Sequence, residues 1–240
     1  MAQLPIYCIN LDSRTDRWSA FQNQINNQKI KILRFPAIKN DWFPHLGVAD
    51  SHKNIIQIAK KRKYPLICIL EDDVCLCKDF LAELRKVIAS APEDWHMIHL
   101  WWLICRYAQI IKINKRISKI HHITCAYGVI YNMRSYNNFI ATVEGKGIKE
   151  KERTFNNFKT FDDWIAFDYQ KKHSCYVSNK FLVKPIPSYS DIGKHYNGRI
   201  YGWAYSSRFF FYSHHLWWFL NLLWIWRDAL KLLLFKMTKK

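Results

Sequence analysis

Apolar runs of strand length alternate with apolar positions at helical spacing through the first hundred residues, and polar turns separate them. Residues 5–11 form a short β-rich run that stops at Asp12-Ser13-Arg14-Thr15-Asp16-Arg17, a turn rich in helix-capping types; Trp18, Phe21 and Ile25 then recur at helical spacing. Residues 29–37 alternate as a second strand. Asp50 or Ser51 can cap a helix through Ile55, Ile56, Ile58 and Ala59, which ends in Lys60-Lys61-Arg62-Lys63, where cations suit the helix dipole. Pro65 opens a third strand, and Asp79 can cap a helix carrying Phe80, Leu84, Val87 and Ile88 on one side. This order predicts an α/β fold whose central sheet is mostly parallel and flanked by helices.

Further along, residues 95–100 and 123–131 each read as one strand, and 135–143 as a helix. The polar stretch 144–160 reads as a mobile surface loop. Phe161-Asp162-Asp163-Trp164 opens an apolar helical stretch that either acid can cap, and residues 188–195 form a loop of hydroxyls, an acid and a histidine.

From Arg208 to Arg227 the chain carries no formal charge except through His214 and His215, and it is crowded with Phe, Trp and Leu. The length is marginal for a membrane span, and Ser213, the two histidines and Asn221 interrupt it. Leu222, Leu223, Trp226, Leu230, Leu233 and Leu234 share one helical face, opposite Asn221, Asp228 and Lys231. An aromatic amphipathic helix lying in a membrane interface is the favoured expectation, with a single span and a helix packed on the protein as alternatives. The chain therefore divides into a domain of catalytic size, 1–205, and a membrane-associating segment, 206–240.

The charge strengthens the expectation of an anionic partner. Lys and Arg number 37 against 19 Asp and Glu, a net +18, which points to nucleic acid, anionic lipid or a phosphorylated substrate. No helix-turn-helix, RNA-binding sheet motif or zinc module is visible, so nucleic acid is not expected. The seven cysteines sit mostly inside apolar runs and read as buried thiols of a reducing compartment. Cys75 and Cys77 lack a second pair at zinc spacing, and no secretory signal is evident at the N-terminus.

The candidate chemistry lies in Ile67-Cys68-Ile69-Leu70-Glu71-Asp72-Asp73-Val74, an apolar strand that ends in three acids. Adjacent carboxylates at the mouth of a buried sheet repel one another and lose water, so a cation is expected to offset them. The carboxyl ends of strands are also where open α/β sheets bind ligands.

Several blocks in order resemble glycosyltransferase family 25, which includes lipooligosaccharide galactosyltransferases. They are Ile6-Tyr7-Cys8-Ile9-Asn10-Leu11-Asp12-Ser13-Arg14-Thr15-Asp16-Arg17-Trp18, then Gly47-Val48-Ala49-Asp50-Ser51-His52, then Leu70-Glu71-Asp72-Asp73-Val74. Pro92-Glu93-Asp94-Trp95, Ala126-Tyr127-Gly128-Val129-Ile130, Phe161-Asp162-Asp163-Trp164 and Ser190-Asp191-Ile192 continue the series. The resemblance implies a nucleotide-sugar-binding domain of the GT-A type. It also implies inverting transfer of a hexose, often galactose, from a UDP-sugar to a lipooligosaccharide, LPS or other glycan acceptor. Mn²⁺ or Mg²⁺ would be held by Asp73, Glu71 and His195. Asn10, Leu11, Arg14, Arg17, Ser51, His52, Glu71 and Asp72 would bind the donor, and Asp163, with Asp162 second, would act as catalytic base. Capping and solubility are the other reading of Asn10, Arg14 and Arg17. The expected place of work is the cytoplasmic face of an anionic membrane. A basic membrane-binding adaptor that keeps the fold without chemistry is the competing class.

Overall fold

The computed structural model describes residues 4–146, 148–149, 154–155, 158, 160–192 and 195–196, with backbone alone at 103–107, 146, 148–149, 154–155 and 195–196. The chain opens with β1 (Ile6–Asn10), α1 (Thr15–Asn27), β2 (Leu33–Pro36), α2 (Pro44–Lys61) and β3 (Leu66–Glu71). Then come β4 (Val74–Leu76), α3 (Phe80–Ile88), β5 (Met97–His99), β6 (Leu103–Lys112), β7 (Ile117–Thr124), β8 (Gly128–Asn132) and α4 (Met133–Ala141). A small pair, β9 (Ile148–Lys149) and β10 (Thr154–Phe155), precedes α5 (Phe161–Trp164), which runs through a wide turn at Ile165–Tyr169 into α6 (Gln170–Lys172). The last elements are β11 (Cys175–Ser178), β12 (Val183–Pro185), β13 (Tyr189–Ser190) and β14 (His195–Tyr196).

Eight strands form one sheet in the order β2-β1-β3-β8-β5-β11-β7-β6. It is α/β as expected, and the sheet is mostly parallel in strand direction but mixed, because β7 and β8 run against the others. β1 pairs in parallel with β2 and β3, and β11 with β5. β8 runs antiparallel between β3 and β5, and β7 antiparallel between β11 and β6. The single strand expected over 123–131 is in fact the end of β7 and the start of β8, separated by the irregular residues 125–127, and β6 was not anticipated.

Alternation along β3 builds the core. Ile67 and Ile69 join one apolar cluster with Ile55, Ile56 and Ala59 of α2, Phe139 and Ile140 of α4, and Phe161 and Trp164 of α5. Cys68 and Leu70 are equally buried outside that cluster, as are Phe21 of α1 and Phe80 and Leu84 of α3.

Three expected caps are corrected. α2 starts at Pro44, well before Asp50 and Ser51, because proline suits the first helical position. Asp79 precedes α3 in a left-handed conformation (φ 58°) without a side-chain cap, and Gln28 Oε1 instead accepts the Phe80 N–H at 3.3 Å. α5 is capped by Thr160, whose hydroxyl accepts the Asp163 N–H at 3.0 Å, so Asp162 and Asp163 lie in its first turn. The C-terminal helix expected in 206–240 lies outside the described residues. Among the described residues no helix is long and apolar enough to cross a membrane.

Candidate active site

β1 and β3 run side by side with Ile9 opposite Glu71, so Asn10 and the acidic triplet leave the sheet together at the carboxyl ends of parallel strands. Asp72 and Asp73 form the turn into β4, and each is only 8% exposed. β4 is held in place from two sides. The Gln24 side chain of α1 donates to the Val74 carbonyl and accepts the Leu76 N–H, both at 3.0 Å, imitating a neighbouring strand. On the other side β12 pairs antiparallel with β4, which carries the chain after Pro185 back over Asp73, and the Ile186 N–H donates to the Asp73 carbonyl at 2.6 Å.

The side chains close a polar ring over this turn. Asn10 Nδ2 donates to Asp72 Oδ2 at 2.6 Å and to the Arg14 carbonyl at 3.0 Å, while Asn10 Oδ1 accepts from Arg34 Nε at 2.8 Å. Arg17 Nη1 sits 3.0 Å from Asp72 Oδ1 and 3.2 Å from Asp73 Oδ2. Its Nη2 donates to Ser188 Oγ at 2.9 Å and to the Tyr189 carbonyl at 2.6 Å. Arg14 pairs with Asp16 at 3.0 Å and with Asp191 at 2.6 Å. Of the expected donor-site residues, Asn10, Arg14, Arg17 and Asp72 are thus brought together around Asp73, the expected ion ligand, and Leu11 belongs to the same turn, its carbonyl accepting the Arg14 N–H at 2.9 Å.

Burial and mutual repulsion raise the acids. Burial pushes the Asp73 carboxyl up to about 6, with Arg17 opposing and Asp72 adding to the rise. Glu71 is raised well above the usual carboxylate range by burial, then by Asp73, Asp162 and Asp72, against Arg17. Asp162 is pushed up to about 7 by burial and then by Asp163. Phe161 and Trp164 pack in one cluster with Ile67 and Ile69, which sets the first turn of α5 against β3, and Asp162 acts on Glu71 there. Asp163 acts on His45, on the side of α2.

Ser51 and His52 do not join the ring. Ser51 Oγ donates to the Gly47 carbonyl at 2.7 Å and accepts the Ile38 N–H at 2.8 Å, fixing α2 to the segment after β2. His52 is fully buried, with Nδ1 2.9 Å from the Tyr131 hydroxyl and its ring against Phe161 and Phe139. Burial, then His99, lowers its imidazole to about 3, so it is neutral at physiological pH. The His195 side chain lies outside the described residues. Arg34, Ser188 and Asp191 complete the site without having been assigned to it; 188–191 was visible as a polar loop, whereas Arg34 sits inside a strand-like run and gave no local signal.

Among the described residues no group of three His, Cys, Asp or Glu side chains gathers around one point as a metal site. One oxygen nevertheless fits an ion: Asp73 Oδ1 is buried and has no hydrogen-bond partner. Ions that bridge phosphates commonly take only one or two protein carboxylates, so such an oxygen is a suitable donor.

The model of glycosyltransferase family 25, an LPS biosynthesis protein family, matches residues 43–177, more than half of the chain. No curated protein gave a significant sequence match. Among solved structures, a mannose-1-phosphate geranyltransferase from Thermus thermophilus is 7% identical, with 77% of this chain and 76% of that chain covered at a TM-score of 0.42. A197 from STIV is 12% identical, covering 74% and 81% at 0.41. A glycosyltransferase involved in glycosylating the major capsid of PBCV-1 is 10% identical, covering 73% and 92% at 0.38. Likenesses of that size carry no argument about activity.

Proposed function

This chain belongs to glycosyltransferase family 25 and is a transferase enzyme, and from that premise we propose that it moves a hexose, galactose first among candidates, from a UDP-sugar to a lipooligosaccharide or other glycan, inverting the anomeric carbon. The observation that carries the reading is the paired Asp72 and Asp73 at the carboxyl ends of β1 and β3, both bound by Arg17, with Arg14 held on Asp16 and Asp191 in the same ring. A site with both signs of charge suits a diphosphate and its counter-ion, and the placement agrees with a GT-A type domain.

Arg14 and Arg17 bind the diphosphate through guanidinium forks, and Asn10 and Asp72 orient the nucleotide end. Mn²⁺ or Mg²⁺, held by Asp73 with Glu71 as second candidate ligand, would supply neutralisation of the departing diphosphate charge. The acceptor hydroxyl gives its proton to a carboxylate as its oxygen bonds the anomeric carbon. The bond from that carbon to the diphosphate breaks, and the diphosphate leaves with the electron pair. What supports Asp162 over Asp163 as base is its position beside Glu71 and a carboxyl poised near neutral pH.

Incubating the protein with a panel of nucleotide sugars and Mn²⁺ tests this. Release of UDP from one donor, lost in Asp73→Ala, is the expected result; a wild type inert toward every donor overturns it. The aromatic and basic residues of 206–240 support attachment to an anionic membrane, and truncation before Phe209 is expected to release the protein from sedimented membranes. Unchanged sedimentation would count against that attachment.

A further inference from the structure

Both charges that a donor complex would bring are already supplied by the chain. One nitrogen of Arg17 bridges Asp72 and Asp73, at 3.0 and 3.2 Å. The same guanidinium is anchored by its other nitrogen to Ser188 and the Tyr189 carbonyl, and its Nε is buried without a partner. Two carboxylates occupy Arg14: Asp16 of the adjoining α1 at 3.0 Å, and Asp191 at 2.6 Å on Nη1. The strand pairing of β12 with β4 brings 186–191 over the turn and so holds both arrangements at once.

We propose that Arg17 is a resident cation between Asp72 and Asp73, and Asp191 a resident anion on Arg14, so that a divalent ion enters the site only together with a nucleoside diphosphate. The inference rests on the reading of Asp73 as an ion ligand. An ion bridging both carboxylates must take the place of Arg17 Nη1. An ion on Asp73 Oδ1 alone would face a guanidinium bound to the same carboxylate, and two cations so close in a buried turn repel. A diphosphate removes the conflict. Its oxygens accept from Arg17, whose Nε has an unused proton, and from Arg14 in place of Asp191. The carboxylate oxygens released by Arg17 then face the ion. Ion and diphosphate therefore strengthen each other's binding, and by linkage they do so to the same extent.

The test is Mn²⁺ binding to the full chain, followed by electron paramagnetic resonance with and without UDP and in the absence of any acceptor, so that no turnover contributes. Wild type is expected to bind Mn²⁺ weakly alone and about 10-fold more tightly or better with UDP. Arg17→Gln is expected to bind Mn²⁺ alone about 10-fold more tightly than wild type and to lose most of the gain from UDP. Should Arg17→Gln fail to fold, Ser188→Ala decides instead. It removes one anchor of Arg17 and also the long 3.5 Å hydrogen bond that Ser188 donates to Asp73 Oδ2, both of which restrain the ligand oxygens, and bare Mn²⁺ affinity is expected to rise about 3-fold or more. Bare affinity unchanged or weaker in the folded variant, with the UDP effect intact and Asp73→Asn unable to bind, overturns the role of Arg17 while leaving the ion site standing. No Mn²⁺ binding to wild type even with UDP overturns the ion site and this inference with it.

Discussion

Asn10 donates its side-chain amide to Asp72 across 2.6 Å, joining the end of β1 to the turn after β3. Asn10 is 1% exposed, and its oxygen also holds Arg34. Asn10→Ala leaves a buried carboxylate oxygen and a guanidinium short of partners, so a loss of about 2–3 kcal/mol is expected. Urea unfolding measures it, and weaker UDP binding accompanies it.

Asp162 links stability to pH. Its folded carboxyl is raised to about 7, so the protonated acid favours the fold. That stability is fully present below the ordinary carboxylate value near pH ~4 and is lost as pH rises through about 7. Asp162→Asn is therefore expected to be more stable than wild type at pH 8 by on the order of 1–2 kcal/mol, after discount for residual solvent, and to match it in acid. Donor turnover should fall about 100-fold or more, as for a lost general base. In wild type the rate should rise with pH through about 7, whereas His52, lowered to about 3, should leave no mark on that profile.

Thr160 acts at one remove. Its hydroxyl caps the turn that carries both acids of α5. Thr160→Ala is expected to cost about 1 kcal/mol in thermal unfolding and to lower turnover, while Thr160→Ser keeps both near wild type.

Gly47 has no room for a side chain. A Cβ there would fall on the Ile38 carbonyl oxygen, a backbone atom that cannot swing aside. Gly47→Ala must push α2 away from the segment that Ser51 fixes, at a cost of about 1–3 kcal/mol by denaturant titration.

The acidic end of β3 was legible because an apolar run stopping in three carboxylates is a local pattern, and the first three parallel strands followed from period and length. The break at 125–127, where the chain steps across β5 and β11 from β7 to β8 without changing direction, was not legible. It contains Cys125 in the left-handed region (φ 90°) and neither the glycine nor the proline that punctuates most turns, while His122 (φ 61°) lies within β7 itself. Pro44 was a helix-start signal outweighed by the more conspicuous Asp50 and Ser51. The ring over Asp72 and Asp73 depends on pairs such as Arg17 with Ser188, far apart in sequence, and no periodicity reports them.

Because Arg14 and Arg17 near the start of the chain meet Ser188, Tyr189 and Asp191 near the end of the described domain, a nascent polypeptide on the ribosome holds an unmatched first half until the later residues emerge. N-terminal fragments ending before β12 therefore lack the strand that delivers the second half, and mixing them with nucleotide cannot restore it.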